Sequence, residues 1–223
     1  MVTAKGVGRV IGSVVLVQMV AGAIENFVLL DPVNQPAPRF LVSAAANASQ
    51  VSLAVLTEIA NGGLALAIAI TAWPLFRRCS EAMALWLLAL AVVGVTLSAV
   101  EGTTLLSIVS LSQAYGAAGS ADGTLYQALG ALVGAARKWA HYLNLIAGGS
   151  GLFVMYAVVY RFALVPRALA ALGLGAVLLQ LVAVTMPLFG HPIMFILLMP
   201  LGLTQLAFAA WLLVRGLKEP PAA

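Results

Sequence analysis

Apolar residues run for about 20 positions at a time along this chain, the length a helix needs to cross the hydrocarbon of a bilayer. Such runs predict helices over 10–30, 50–76, 82–111, 137–160, 168–188 and 192–215. Between the first two, "DPVNQPAPRF" holds prolines that cannot continue a helix, so it reads as a loop. The stretch 114–123, "AYGAAGSADG", reads as a second, Gly-rich loop. Residues 124–136, "TLYQALGALVGAA", either extend the fourth helix outward or lie along the interface. A transmembrane barrel would instead show alternating strands of about ten residues, and the pattern contains none. The expected fold is all-α: a polytopic membrane helical bundle of six transmembrane helices, forming a single transmembrane domain over 1–223.

Composition supports this and excludes the alternatives. The chain is 63% hydrophobic and 8% charged, whereas a soluble domain carries about 25% charged residues. Its mean hydropathy is +1.07 and its pI about 9.6. The basic residues are spread over helix ends rather than clustered, so they point to membrane topology and not to nucleic acid. Lys5, Arg9, Arg77, Arg78, Arg161, Arg167, Arg215 and Lys218 fall on one side, against Arg39, Arg137 and Lys138 on the other. Both termini are therefore expected in the cytoplasm, with 31–49, 112–136 and the turn around Gly190 outside. Cys79 is the single cysteine, which rules out an intramolecular disulfide and a thiolate metal cluster. The N-terminus has a signal-like start (Lys5, Arg9, then an apolar stretch). Glu25 and Asn26 follow at once and the apolar run resumes to Leu30, so it reads as a retained first helix.

The polar residues inside the apolar runs are the candidate chemistry. Counting inward from the predicted outer ends, Glu25 lies about five residues deep, Glu58 about eight, Glu101 about ten and His141 about four. All four then share the outer half of a core roughly 30 Å thick. Asn61 follows Glu58, and Asn144 follows His141, at a spacing that puts each pair on one helix face. Gln18 shares a face with Glu25, Ser98 and Thr104 flank Glu101, and Gln180 and Thr185 add polar groups to the fifth helix. Lipid cannot hydrogen-bond such faces, so they should point into the bundle.

Carboxylates gathered there must be protonated, paired or bound to a cation. Arg137 and Lys138 can pair with some of them from the outer rim. A divalent metal is the other economical answer, because carboxylates and imidazole together suit Zn, Mn or Fe. Glu25, Glu58, Glu101 and His141 are then the candidate ligands, and Asn61, Asn144, Arg137, Lys138 and Gln180 the supporting or substrate-facing residues. Each has an ordinary alternative. Glu25 can snorkel to the interface, Glu58 can hydrogen-bond near Asn61, and His141 can bond a carbonyl. Arg137 and Lys138 can simply anchor a helix end, and His191 reads as interfacial. No lysine lies mid-helix for a Schiff base, and no HExxH, Walker or GxSxG motif occurs.

These readings leave two functional classes: a membrane metalloprotein, with or without enzymatic action on a lipid or small apolar substrate, and a non-enzymatic lipid-binding, small-molecule-binding or partner-subunit protein. No catalytic residue can be named. A cation-coupled carrier fits less well, since neither an inverted repeat nor paired broken helices is visible.

At "FALVPRALAALGLGAVLLQLVAVTMPLFG", 162–190, the chain resembles a bacterial and archaeal family catalogued as a domain of unknown function, whose members look like six-helix integral membrane proteins. Pro166, Arg167 and Leu169 match its Pro-Arg-x-Leu pattern, Glu101 its third-helix acid and His141 its histidine at the start of the fourth helix. Glu58 is a looser match to an acid in the second helix. Relatives often carry arginine where this chain has Ser98. The resemblance implies a fold and a prokaryotic cell membrane location, and no activity.

Overall fold

The computed structural model describes residues 3–36, 38–118 and 123–220. Among these the chain is helical, with no strand. Helix α1 (Ala4–Ile24) continues into a π-helical turn at Glu25–Leu29, and a short 3₁₀ turn follows at Asp31–Val33. Then come α2 (Arg39–Ala46), α3 (Ala48–Cys79), α4 (Glu81–Ala118), α5 (Gly123–Arg161), α6 (Arg167–Thr185) and α7 (Met199–Arg215). Six helical stretches are long and apolar enough to span a membrane: Ala4–Leu29, Ala48–Cys79, Glu81–Ala118, Gly123–Arg161, Arg167–Phe189 and Phe195–Arg215. Large apolar side chains such as Phe27 (84% exposed) and Phe195 (70%) are left uncovered on them. That is what lipid as solvent permits and water does not. The chain is a multi-pass membrane protein.

The predicted helices all exist, but their ends move. Helix α4 reaches Ala118 rather than 111, and α5 starts at Gly123 rather than 137. Residues 124–136 thus extend the helix; of the stretch expected as a Gly-rich loop, 114–118 and Gly123 are helical, and 119–122 lie outside the described residues. At 38 and 39 residues, α4 and α5 are each about 57 Å long, so part of each must lie outside a core of roughly 30 Å. The proline-rich connector is also partly ordered, holding the 3₁₀ turn with Pro32 inside it and leading into α2.

The chain divides into two compact units. One comprises Met19–Gly63 and Val95–Leu143. Its apolar core gathers Leu29, Leu30, Val33, Phe40, Leu41, Val51, Val55, Leu105 and Ile108. A Cβ on Gly130 would lie 2.6 Å from the Phe40 ring, so glycine there lets α5 meet α2 without displacing that ring. Ser112 ties α4 to α2: its hydroxyl donates to Leu41 O and accepts from Ala45 N–H. The extra helical turns of α4 and α5 thus exist because α2 and the connector give them something to bury.

The other unit comprises Met1–Gln18, Leu64–Gly94 and Asn144–Ala223. Pro166 stands immediately before α6, where its missing N–H costs nothing. Gly216 ends α7 at φ 70°, a conformation open to glycine. The chain then runs close to α1, and Lys218 N–H donates to Leu164 O at 2.9 Å. Fully buried Tyr156 packs against Phe208, ring centroids 5.0 Å apart, over the bare face of Gly173.

Candidate functional site: an acid-rich cluster

The hydrogen-bond ladder of α1 changes step at Glu25. Leu30 N–H donates to Glu25 O at 2.9 Å, one residue further along than an α-helical bond. The extra residue in this π turn is accommodated with Glu25 turned inward, 2% exposed, while Asn26, Phe27 and Val28 face outward. The inward carboxyl hydrogen-bonds that of Glu58 on α3.

Glu58 is held from the other side by α4, where Ser98 Oγ donates to Glu58 Oε1 at 2.9 Å. The two helices approach closely because Gly62 lies one turn beyond Glu58. A Cβ on Gly62 would sit 3.1 Å from Ser98 Oγ and 3.2 Å from Val95 Cα. Gly62→Val is therefore expected to push α3 off α4, break the Ser98–Glu58 bond and cost about 1–3 kcal/mol. Thermal unfolding in detergent checks this, and an unchanged midpoint would contradict the packing.

On the facing helices, His141 Nδ1 lies 3.0 Å from Glu101 Oε1. Both residues sit about 17 or 18 positions from the α4–α5 connection, roughly 26 Å along each helix, so the antiparallel pair brings them level. They are deeper from the helix tips than the predicted ends implied, because those ends were placed too far in. Glu101 is 1% exposed and His141 35%. The second carboxylate oxygen, Glu101 Oε2, is buried and has no hydrogen-bond partner among the described residues.

Arg137 stands one turn before His141 on α5. Its Nη1 donates to Asn34 Oδ1 at 3.0 Å, its Nε is buried without a hydrogen-bond partner among the described residues, and its charge acts on Glu101, Glu25 and Glu58. Lys138 turns elsewhere, with its Nζ 5.1 Å from the Trp139 ring centre and 6.0 Å from that of Tyr142. Of the two cations at the start of the predicted helix 137–160, Arg137 serves the acids and Lys138 an aromatic surface.

Glu25, Glu58, Glu101, His141 and Arg137 thus share the unit Met19–Gly63 and Val95–Leu143, as does Asn61, whose Nδ2 is 3.9 Å from where a Gly22 Cβ would be. Asn144, Gln180 and His191 belong to the other unit. There, buried Gln180 Oε1 faces Gly149, 3.6 Å from where a Cβ would be. Sequence reasoning missed Asn34, which fixes Arg137, and the pairing of Ser98 with Glu58. Asn34 follows the 3₁₀ turn, and nothing in "DPVNQPAPRF" marks that turn in advance. Among the described residues, no three His, Cys, Asp or Glu side chains converge closely enough to hold a metal ion. The four candidate ligands share a unit but not a coordination sphere, because Glu58 is engaged by Glu25 and Ser98, and Glu101 by His141.

Chemically, the cluster sets three carboxyl groups against one guanidinium and one imidazole, with one buried carboxylate oxygen, Glu101 Oε2, unpartnered among the described residues. Comparison with curated proteins gives no match, and neither does comparison with solved structures. The family model described as Domain of unknown function (DUF4386) matches residues 10–216, and with nearly the whole length covered, the chain belongs to that family.

Proposed function

We propose that this protein is a multi-pass protein of a prokaryotic plasma membrane, with both termini cytoplasmic, and that its acid-rich cluster is a cation-binding site in the outer half of the bundle. The observation that carries the reading is Glu101: its carboxylate is buried, and Oε2 has no hydrogen-bond partner among the described residues, within a cluster where acids outnumber bases. An acceptor desolvated without a donor costs about 1–3 kcal/mol, more when it is charged, and a cation removes that cost. Two kinds of cation fit this chemistry. One is a divalent metal, for which the donor set suits Zn, Mn or Fe; it requires the Glu25–Glu58 contact to open. The other is the ammonium group of a small molecule or lipid, which needs no such opening.

The test is thermal unfolding of protein purified in neutral detergent, without chelator or histidine tag. It is titrated separately with Zn, Mn, Fe(II), ethanolamine and, as an uncharged control, ethanol. A bound cation at one hundred times its Kd should stabilise by about 2.7 kcal/mol, which raises the midpoint by roughly 5–10 °C for a chain of this size. Glu101→Gln, which keeps the shape, should lose that shift. A shift with metals identifies a metal site, and one with ethanolamine but not ethanol an ammonium site. No shift with any cation, or an equal shift in Glu101→Gln, would refute the reading.

A further inference from the structure

The unit Met1–Gln18, Leu64–Gly94 and Asn144–Ala223 carries a second polar feature, unrelated to the acid cluster. A groove of about 720 Å³ opens on it, lined by Tyr160 and Arg161 at the end of α5, Arg167 at the start of α6, and Phe153, Leu174 and Leu178 further along the same two helices. On α5 the spacing 153, 160, 161 keeps these residues on one face, and on α6 so does 167, 174, 178. One end of the groove is therefore dibasic with a phenol beside it, and the rest is apolar. From Arg167 to Leu178 the helix rises about 16 Å, close to half of a hydrocarbon core roughly 30 Å thick. Arg161 rests with its guanidinium 5.5 Å from the Phe162 ring centre, and both arginines are exposed at the end where α5 turns into α6.

We infer that this groove binds an anionic phospholipid, with the headgroup phosphate on Arg161 and Arg167 and an acyl chain along Phe153, Leu174 and Leu178. Charge and shape argue together. Guanidinium groups recognise phosphate oxygens through paired N–H donors, and the apolar continuation matches an acyl chain in length. A free phosphate would use the arginine end alone and leave the apolar part uncovered. The basic end is also the side that the Lys/Arg distribution assigns to the cytoplasm, where anionic headgroups attract such residues.

Native mass spectrometry of the full chain, released from detergent with equimolar dioleoyl phosphatidylglycerol and dioleoyl phosphatidylcholine, tests the assignment. The wild type should retain the anionic lipid over the zwitterionic one by about thirtyfold, from two basic contacts. Arg161→Gln with Arg167→Gln should bring the ratio near parity. Added inorganic phosphate should leave retention unchanged, and displacement by it would reassign the site to a soluble anion. Equal retention of both lipids by the wild type, or an unaltered preference in the double variant, would overturn the proposal. Should the variant fail to fold, photolabelling of the wild type by phosphatidylglycerol with a photoreactive acyl chain decides. Labels at Leu174 or Leu178 uphold the groove, and labels confined elsewhere refute it.

Discussion

Arg137→Leu should destabilise the protein by about 3–5 kcal/mol, the loss expected when one partner of a buried charged group is removed and the others stay. The guanidinium acts on Glu101, Glu25 and Glu58 together, and among the described residues of the cluster only His141 could replace any of that charge. Its Nη1 also donates to Asn34 Oδ1, so the connector loses an anchor to α5. The substitution keeps a long apolar stem, which separates the lost charge from lost packing. Combining it with Glu101→Gln removes one acid along with the base, and the pair should recover about 1–3 kcal/mol relative to the sum of the single changes. Chemical or thermal unfolding of the four proteins reads the cycle. An Arg137→Leu variant within about 0.5 kcal/mol of the wild type would mean that the guanidinium is merely interfacial.

The second large effect lies in the other unit. Gly173→Val should cost about 3 kcal/mol or more, because there is no direction in which the new side chain can go. A Cβ at Gly173 would lie 2.3 Å from Tyr156 Cε1 and 2.4 Å from Cδ1. The ring cannot retreat, since Tyr156 is fully buried and backed by Phe208. In lipid, helices associate through close packing and small residues rather than through burial of apolar area, so forcing α6 off α5 removes the contact that holds them. Gly175 is the control: it lies two residues on in the same helix, and a Cβ there meets nothing within 4 Å. Gly175→Val should stay within about 0.5 kcal/mol of the wild type. Equal effects at the two glycines would contradict the packing described.

Much of the fold was legible because lipid imposes a simple rule: backbone polar groups must be satisfied within each segment, so long apolar runs become helices. Helix ends were less legible. The helix expected over 82–111 continues to Ala118, through Ser112, whose hydroxyl is satisfied by Leu41 and Ala45 of α2. That partner is far away in sequence and leaves no local trace. The same holds for Gly130, whose contact with Phe40 of α2 leaves no local trace.

The candidate site was partly legible for a related reason. A carboxyl is costly inside an apolar helix, so Glu25, Glu58 and Glu101 were conspicuous, and Arg137 and His141 stood beside them. What the sequence withheld was rotation. The π turn at Glu25 contains no proline or glycine to announce it, and it is this turn that carries the acid inward. Asn144 and Gln180 are grouped with the other unit, and spacing along a helix fixes a face, not which neighbour that face meets.

Isothermal titration calorimetry of the detergent-purified wild type, first with Zn and then with ethanolamine, tests the central claim most directly. The expected result is saturable heat with either ligand at one site per chain, abolished in Glu101→Gln. Featureless titrations with both, or undiminished heat in Glu101→Gln, would show that the buried Glu101 carboxylate binds no cation and that the cluster serves helix packing alone.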